Sequence, residues 1–540
     1  MRPPTRWIAG TVAVVVIVVA VLGVIASRLD GRICCGRGET FRIISGSENQ
    51  SLEPIIQDYA KKEGVAMEVT YAGSVDIMRE LASGSDSKYD AVWPANSMWI
   101  LLGDTQGVVQ YPASIMRSPV VFGVKKSVAE RLGWVNRDVT VDDILAAAES
   151  GQLRFMMTSA TQSDSGASAY LGFLYAFAGH PDVLTSADLQ RPDVRDKVKR
   201  IVGAQSRTAG SSGYLKGLFV EQYDAFDAMV NYESVVIEAN QQLVSGGREP
   251  LYVIYPTGAT PIADSPLGYI KKTAKTEAIF LALQEYLLSP EVKKQLLGQG
   301  RRTELGINLD PKDIDPSVFN PDWGIDTQRI LTPIKIPEAA VVREALNLYQ
   351  TTFRKPSFTV YALDFSGSME NDGEEQLKDA MRLLLDQEAA SQHLLQASPE
   401  DITVVIPFSD HVLDVWMVKG NDPAQLQKLA SQIDEADAKG GTDIYSPVIR
   451  GLEMMKSQGT DGYFPAVVLM TDGESNEGKN FDDLKRHVAE SGLGTVPIFA
   501  ITFGDASTDQ LEEITRFASG AVFDGRTDLV GAFRQTKSYN

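Results

Sequence analysis

The stretch FTVYALDFSGSM, residues 358–369, decides the architecture of the C-terminal part of this 540-residue chain. Phe358–Leu363 is a near-continuous apolar run, as expected of a parallel strand buried on both faces, and it ends in Asp364-Phe365-Ser366-Gly367-Ser368. Alternate residues of an extended chain point the same way, so Asp364, Ser366 and Ser368 converge on one point beyond the strand. Working outward, the apolar runs Thr403–Pro407, Ala466–Met470 and Val496–Thr502 alternate with amphipathic stretches at Glu374–Gln396, Ala424–Asp437, Phe481–Ser491 and Thr508–Ala518. This alternation predicts a doubly wound, Rossmann-like α/β sheet, in which ligands sit beyond the carboxyl ends of the strands where strand order reverses. A second strand ends in Thr471-Asp472-Gly473, and the loop Gly440-Gly441-Thr442-Asp443 brings a further hydroxyl. Asp364 and Asp472 with Ser366, Ser368 and Thr442 form a hard, all-oxygen donor set suited to Mg²⁺, Mn²⁺ or Ca²⁺. No His or Cys takes part, which argues against zinc, and Asp443 receives no role.

DFSGS, GGTD and TDG, in that order on these loops, resemble the metal-ion-dependent adhesion site of von Willebrand factor A (VWA) domains across residues 357–540. The resemblance implies that Ser366, Ser368 and Thr442 contact the metal, while Asp364 and Asp472 act largely through water. It also implies an open coordination position that a carboxylate of a partner protein fills.

Enzyme readings of the same region fail on particular residues. Gly473–Asn480 nearly spells a phosphate-binding loop, but Asn480 stands where Ser or Thr should hold magnesium, and Glu474 and Glu477 would repel phosphates. An aspartyl-phosphate hydrolase needs a second Asp where Ser366 stands. Ser85-Asp86-Ser87-Lys88 fits SxxK without a companion KTG. The four histidines, His180, His393, His411 and His487, have no matching serine beside them.

Residues 40–330 alternate short β-rich runs (Phe41–Ser45, Ala66–Tyr71, Ala91–Trp93, Val120–Val124, Leu251–Tyr255) with helices beginning at Gln50, Ser74, Val141 and Ser168, again predicting α/β layers. Small polar clusters recur between strand and helix: Ser45-Gly46-Ser47, Ala72-Gly73-Ser74, Ala95-Asn96-Ser97 and Ser163-Asp164-Ser165-Gly166. Each serine taken singly is an N-cap; their recurrence suggests helix N-termini converging on an anion. SGSENQSLEPIIQDYAKKEG, VTYAGSVDIMRELASG, YDAVWPANSMW, SPVVFGVKK and LYVIYPTGATPIADSPLGYI resemble, in order, the type 2 periplasmic solute-binding proteins, particularly the molybdate- and sulfate-type receptors. The resemblance implies a bilobed fold with two crossings and a ligand cleft. Ser47 and Ser74 are then the first candidate ligand contacts, with Ser97, Ser165 and Tyr232 at further cleft positions.

Residues 331–356 read as a connector, with helical periodicity from Pro337 to Phe353. At the other end, Trp7–Ala26 is a twenty-residue run without charge, long enough at about 1.5 Å per residue to span a hydrocarbon core. It is read as an uncleaved single-pass anchor within an N-terminal segment of residues 1–39; a cleaved signal peptide is the alternative, since Val24-Ile25-Ala26 resembles a cleavage site. Flanking arginines do not decide orientation, and the solute-binding resemblance implies that residues 40–540 are extracytoplasmic, outside the cell membrane. Cys34 and Cys35 are the only cysteines, so there is no disulfide framework.

The net charge of −20 argues against nucleic-acid binding. Residues 340–540 hold 32 acidic and 17 basic side chains, a net of −15, so the preceding 339 carry −5. The expectation is a membrane-anchored, non-enzymatic, cell-surface binding protein. Its cleft would hold a small anionic or polar solute, and its metal site would meet a protein partner. A transporter receptor, a metal-dependent hydrolase and an assembly factor are the alternatives.

Overall fold

The computed structural model describes residues 40–303, 311–329, 331, 333–370, 372–494, 496–503, 508–526 and 529–538. The apolar run 7–26 and the two cysteines lie outside them; among the described residues no helix is long and apolar enough to cross a membrane.

The first lobe opens with β1 (Thr40–Gly46), β2 (Ala66–Ala72), β3 (Ala91–Trp93) and β4 (Val109–Ser114). The chain then crosses into a second lobe built on β5 (Ser118–Lys125), β6 (Phe155–Thr158), β7 (Arg207–Ala209), β8 (Ala228–Tyr232), β9 (Leu251–Ile254) and β10 (Ile262–Ala263), and returns for β11 (Pro266–Ile270). The first sheet runs β2-β1-β3-β11-β4 and the second β10-β5-β8-β6-β7, with β9 also beside β5. The two lobes are thus each a mixed α/β sheet, the bilobed arrangement the sequence implies. Residues 115–117 and 264–265 are the crossings, and they are bonded together by Ile115 N–H to the Ser265 carbonyl at 3.2 Å. A third pass follows the first lobe's last helix, where Arg302 pairs with Arg117 in both backbone directions.

The predicted connector is not a free tether. Ala339–Leu348 is helical, continued by a π-turn at Tyr349–Phe353. Its apolar residues Val342, Ala345, Leu346, Tyr349 and Phe353 belong to the second lobe's core, where Tyr170 Oη donates to the Ala345 carbonyl at 2.8 Å.

The C-terminal sheet has the order β14-β13-β12-β15-β16-β17, built from β12 (Ser357–Asp364), β13 (Ile402–Phe408), β14 (Trp416–Lys419), β15 (Phe464–Thr471), β16 (Ile498–Thr502) and β17 (Val522–Asp524). All pairs are parallel except the β13–β14 edge. The chain leaves β12 for β13 on one side and later returns to β15 on the other, so strand order reverses between β12 and β15. The predicted helix Glu374–Gln396 is broken: Asp386 accepts from the N–H groups of Glu388 and Ala389, ending Asp372–Leu385 and starting Gln387–Gln392.

The halves are packed together. One apolar cluster runs from Leu215, Leu218 and Phe219 of the second lobe to Phe499, Phe523 and Phe533 of the C-terminal domain. Arg534, on the last helix (Leu529–Ser538), is 1% exposed and reaches Asp76 of the first lobe at 3.4 Å and Gln162 of the second at 3.1 Å. Gln162 in turn donates to Asp76 at 2.7 Å. Three parts of the chain meet at these three side chains.

Candidate functional site

At the switch point the five predicted oxygen-bearing residues come together. Asp364, the last residue of β12, is fully buried. Its Oδ1 accepts from the Ser366 N–H at 2.8 Å and its Oδ2 from the Thr471 hydroxyl at 2.5 Å. Ser366 Oγ lies 3.1 Å from Ser368 Oγ, which donates to Asp472 Oδ1 at 2.8 Å. Gly473 sits against both Ser368 Oγ and Thr442 Oγ1: a Cβ there would lie 3.6 and 3.8 Å from them. The loop carrying Thr442 is held by the Gly367 N–H to the Gly440 carbonyl (3.0 Å) and by the Thr442 N–H to Asn476 Oδ1 (3.0 Å). Asp364, Ser366 and Thr442 are buried beneath, while Ser368 is exposed and Asp472 half-buried, so the cluster opens to solvent on one side.

Burial pushes the Asp364 carboxyl up to about 6; the bonds from Thr471 and Ser366 work against that rise, and Asp472 adds to it. Among the described residues no basic side chain is paired with this deeply held carboxyl, which has a second acid close by. A divalent cation would supply a compensating positive charge, and hydroxyl and carboxylate oxygens are the donors a hard cation takes. Among the described residues no group of three or more His, Cys, Asp or Glu is placed to hold a metal ion.

Two residues that carried no expected role support this cluster. Thr471 fixes Asp364, and its place one residue before Asp472 at the end of β15 was the available signal. Asp443 accepts from the N–H groups of Tyr445 and Ser446 at 3.1 and 3.0 Å, starting the helix Tyr445–Gln458, and from the Lys479 N–H at 3.2 Å. It locks the Thr442 loop to the loop after Asp472.

The cleft between the lobes is closed on itself. Ser47 Oγ is 3.5 Å from the Gly213 N–H of the second lobe. The helix starting at Ser74 presents its Val75 N–H to the Gln162 carbonyl across the gap at 3.2 Å, and a Cβ on Gly73 would come within 2.6 Å of that carbonyl. Ser97 meets the Asp264 carboxylate through its N–H at 2.8 Å. Ser165 is wholly buried among hydroxyls, 2.8 Å from both Thr158 and Ser212. Tyr232, equally buried, donates to Asp164 at 3.0 Å. Asp164 also accepts from Trp99 at 2.7 Å, and its helix starts at Asp164 rather than Ser168, where Gly166 lets it approach the Thr158 carbonyl.

Ser47, Ser74 and Ser97 therefore stand at the gap between the lobes, while Ser165 and Tyr232 lie inside the packing behind it. The helix ends at Ser74 and Ser97 are already met by protein acceptors. Burial pushes Asp164 up to about 6 and Glu48 up to about 8, and the charge of Asp164 adds to the rise at Glu48. Both shifts favour the neutral, protonated carboxyl, and the charge of Arg301 works against the rise at Glu48.

Comparison with known proteins agrees with this division of the chain. The family model described as bacterial extracellular solute-binding protein matches residues 42–302, and that of the von Willebrand factor type A domain matches residues 360–534. The chain therefore carries a solute-binding domain followed by a VWA domain. Among curated proteins it is similar to human inter-alpha-trypsin inhibitor heavy chain H3, with 27% identity over 159 residues, and to its Bos taurus counterpart, with 24% over 158. These matches cover 28% of this chain and 17% of each relative, so the chain spans about a sixth of the length of the curated relatives it matches. Among solved structures, a periplasmic thiamin binding protein aligns with a TM-score of 0.45 at 11% identity, covering 57% of this chain and 96% of that one. A von Willebrand factor type A protein from Catenulispora acidiphila aligns with 0.28 at 18% identity, covering 35% and 42%.

Proposed function

We propose that this chain is a non-enzymatic, extracytoplasmic binding protein held to the cell membrane by residues 7–26. Its VWA domain grips a protein partner through one divalent cation, and its bilobed domain closes on a small polar solute. The observation that carries the reading is the convergence of Asp364, Ser366, Ser368 and Asp472 at the switch point of the C-terminal sheet, with its open side toward solvent. Mg²⁺ is the preferred ion, ahead of Mn²⁺ and Ca²⁺, because the cluster offers two carboxylates and several hydroxyls; calcium commonly takes about six to eight oxygens in a roomier cage. Ser366, Ser368 and Thr442 would hold the ion, and Asp364 and Asp472 would balance its charge. The exposed side leaves room for a carboxylate of the partner to complete the shell.

For the cleft, the solute is expected to be small and polar or anionic, the kind that the strand–serine–helix junctions at Ser47, Ser74 and Ser97 would hold. A solute at a hundred times its dissociation constant stabilises its domain by about 2.7 kcal/mol, a rise of several degrees in the unfolding midpoint. The test is a thermal-shift screen of the full-length chain against polyols, amines, amino acids and anions. Hits among small polar or anionic solutes that weaken in Ser47→Ala or Ser74→Ala support the reading. No hit in a broad panel refutes the solute-binding half. A transporter receptor is the second reading of that half, favoured by the matched domain alone.

A further inference from the structure

The joint between the two halves encloses a cavity of about 30 Å³, room for two or three waters or one compact ion. The second lobe contributes Thr161 and Thr208, the end of the linking helix Arg354 and Lys355, and the last helix Arg534 and Lys537. Four cations thus face one small space. Arg354 is paired with Asp401 through both Nη atoms, one at 3.0 Å, and Arg534 with Asp76. Among the described residues no carboxylate lies within ion-pair distance of either lysine. Lys355 sits over the Phe464 ring at 4.9 Å, and Lys537 donates to the Leu395 carbonyl. Asp461 and Asp401 act on them only from farther away.

Two donors at this wall are also unpaired. Arg354 Nε and the hydroxyl of Thr208, a residue 6% exposed, are buried with no hydrogen-bond partner. Buried cations and unmade donor bonds are each costly, and one species meets both deficits: a compact anion with several acceptor oxygens. Guanidinium groups and hydroxyls suit an oxyanion better than a halide, because they present paired donors in fixed geometry.

We propose that this joint binds a single inorganic oxyanion of the phosphate or sulfate type, held by Arg354, Lys355, Arg534, Lys537 and the Thr208 hydroxyl. The site is separate from the solute cleft, and it ties the C-terminal helix to the second lobe. Burial, with the charge of Arg354 added, pushes the Lys537 ammonium down to about 8, the strain that a bound anion relieves. The same helix packs Phe533 on Tyr361, three residues before Asp364, with ring centroids 5.9 Å apart. The anion therefore braces the helix that supports the strand of the metal cluster.

The test is calorimetry and thermal unfolding of the full-length chain with inorganic phosphate, then sulfate, in EDTA at matched ionic strength against chloride. One saturable phosphate or sulfate per chain is expected, with a higher unfolding midpoint. Thr208→Val keeps the side-chain shape and should weaken binding about tenfold, the effect of one hydrogen bond to a charged group. Lys537→Met should abolish binding without lowering the phosphate-free midpoint, and Ser74→Ala in the cleft should leave phosphate binding at the joint unchanged. The proposal is overturned by absence of saturable binding of both anions, by binding that survives Thr208→Val at full strength, or by loss in Ser74→Ala. Should Lys537→Met fail to fold, Thr208→Val decides.

Discussion

Asp364→Asn is expected to stabilise the VWA domain in chelator and destabilise it, relative to the unaltered chain, in Mg²⁺. Burial raises the folded-state carboxyl to about 6 from an ordinary value of 3.8. Between roughly pH 4 and 6 the folded chain holds a proton that the unfolded chain has already released, so stability falls as pH rises through this window. A rise of that size corresponds to about 2–3 kcal/mol, fully lost above pH 6. Asparagine removes that penalty without breaking the local bonds. Its carbonyl can accept from the Ser366 N–H, and its amide can donate to Thr471 Oγ, whose proton then turns to the Gly473 carbonyl 3.2 Å away. At pH 7.5 in EDTA the variant should therefore be more stable by about 2 kcal/mol, and its transition should lose the slope between pH 4 and 6. In Mg²⁺ the unaltered domain gains the binding free energy and the variant does not. Denaturant titrations at pH 4.5 and 7.5, with and without Mg²⁺, measure all four values; a destabilised, pH-sensitive variant in EDTA contradicts this account of Asp364.

Arg302→Met is expected to have the largest effect on the solute-binding domain. Arg302 and Glu233 are both completely buried, joined by two bonds at 2.8 and 2.7 Å, and Tyr255 also donates to Glu233. Removing one member of such a pair leaves an uncompensated charge and costs about 3–5 kcal/mol. The pair sits where the chain leaves the first lobe beside Arg117, so the loss falls on the contact between lobes. Arg302→Met with Glu233→Gln should recover much of it, because the orphaned charge is gone. Thermal unfolding of the two variants separates the outcomes: a single variant within about 1 kcal/mol of the unaltered chain would show that the ion pair is worth little here.

The convergence of oxygen-bearing side chains at the C-terminal sheet was legible in the sequence because its logic is local. A strand buried on both faces announces itself as an apolar run, and alternation along an extended chain assigns Asp364, Ser366 and Ser368 to one side without any knowledge of tertiary structure. Thr442 and Asp472 followed from two more short motifs on loops at the same sheet edge. The cleft was harder because its character depends on charges far apart in sequence. Glu48 of the first lobe and Asp164 of the second are 116 residues apart yet act on one another, and a strand–serine–helix pattern looks the same whether its N–H groups face a ligand or a Gln162 carbonyl. The joint could not be foreseen at all, since Arg534 and Gln162 are 372 residues apart. The edge strands β14 and β17 are four and three residues long and partly exposed, too short for periodicity to register. The break at Asp386 shows the converse: a single capping side chain divides a stretch whose amphipathic spacing reads as continuous.

The most direct test of the account is calorimetric titration of the full-length chain with Mg²⁺, repeated for Asp472→Ala and Asp364→Ala. Either substitution removes one of the two charges that balance the ion. The account predicts one Mg²⁺ per chain, bound with modest affinity while the partner position stays open, and no measurable binding in either variant although both remain folded. Unchanged Mg²⁺ and Mn²⁺ binding in Asp364→Ala, or no binding in the unaltered chain, would contradict it.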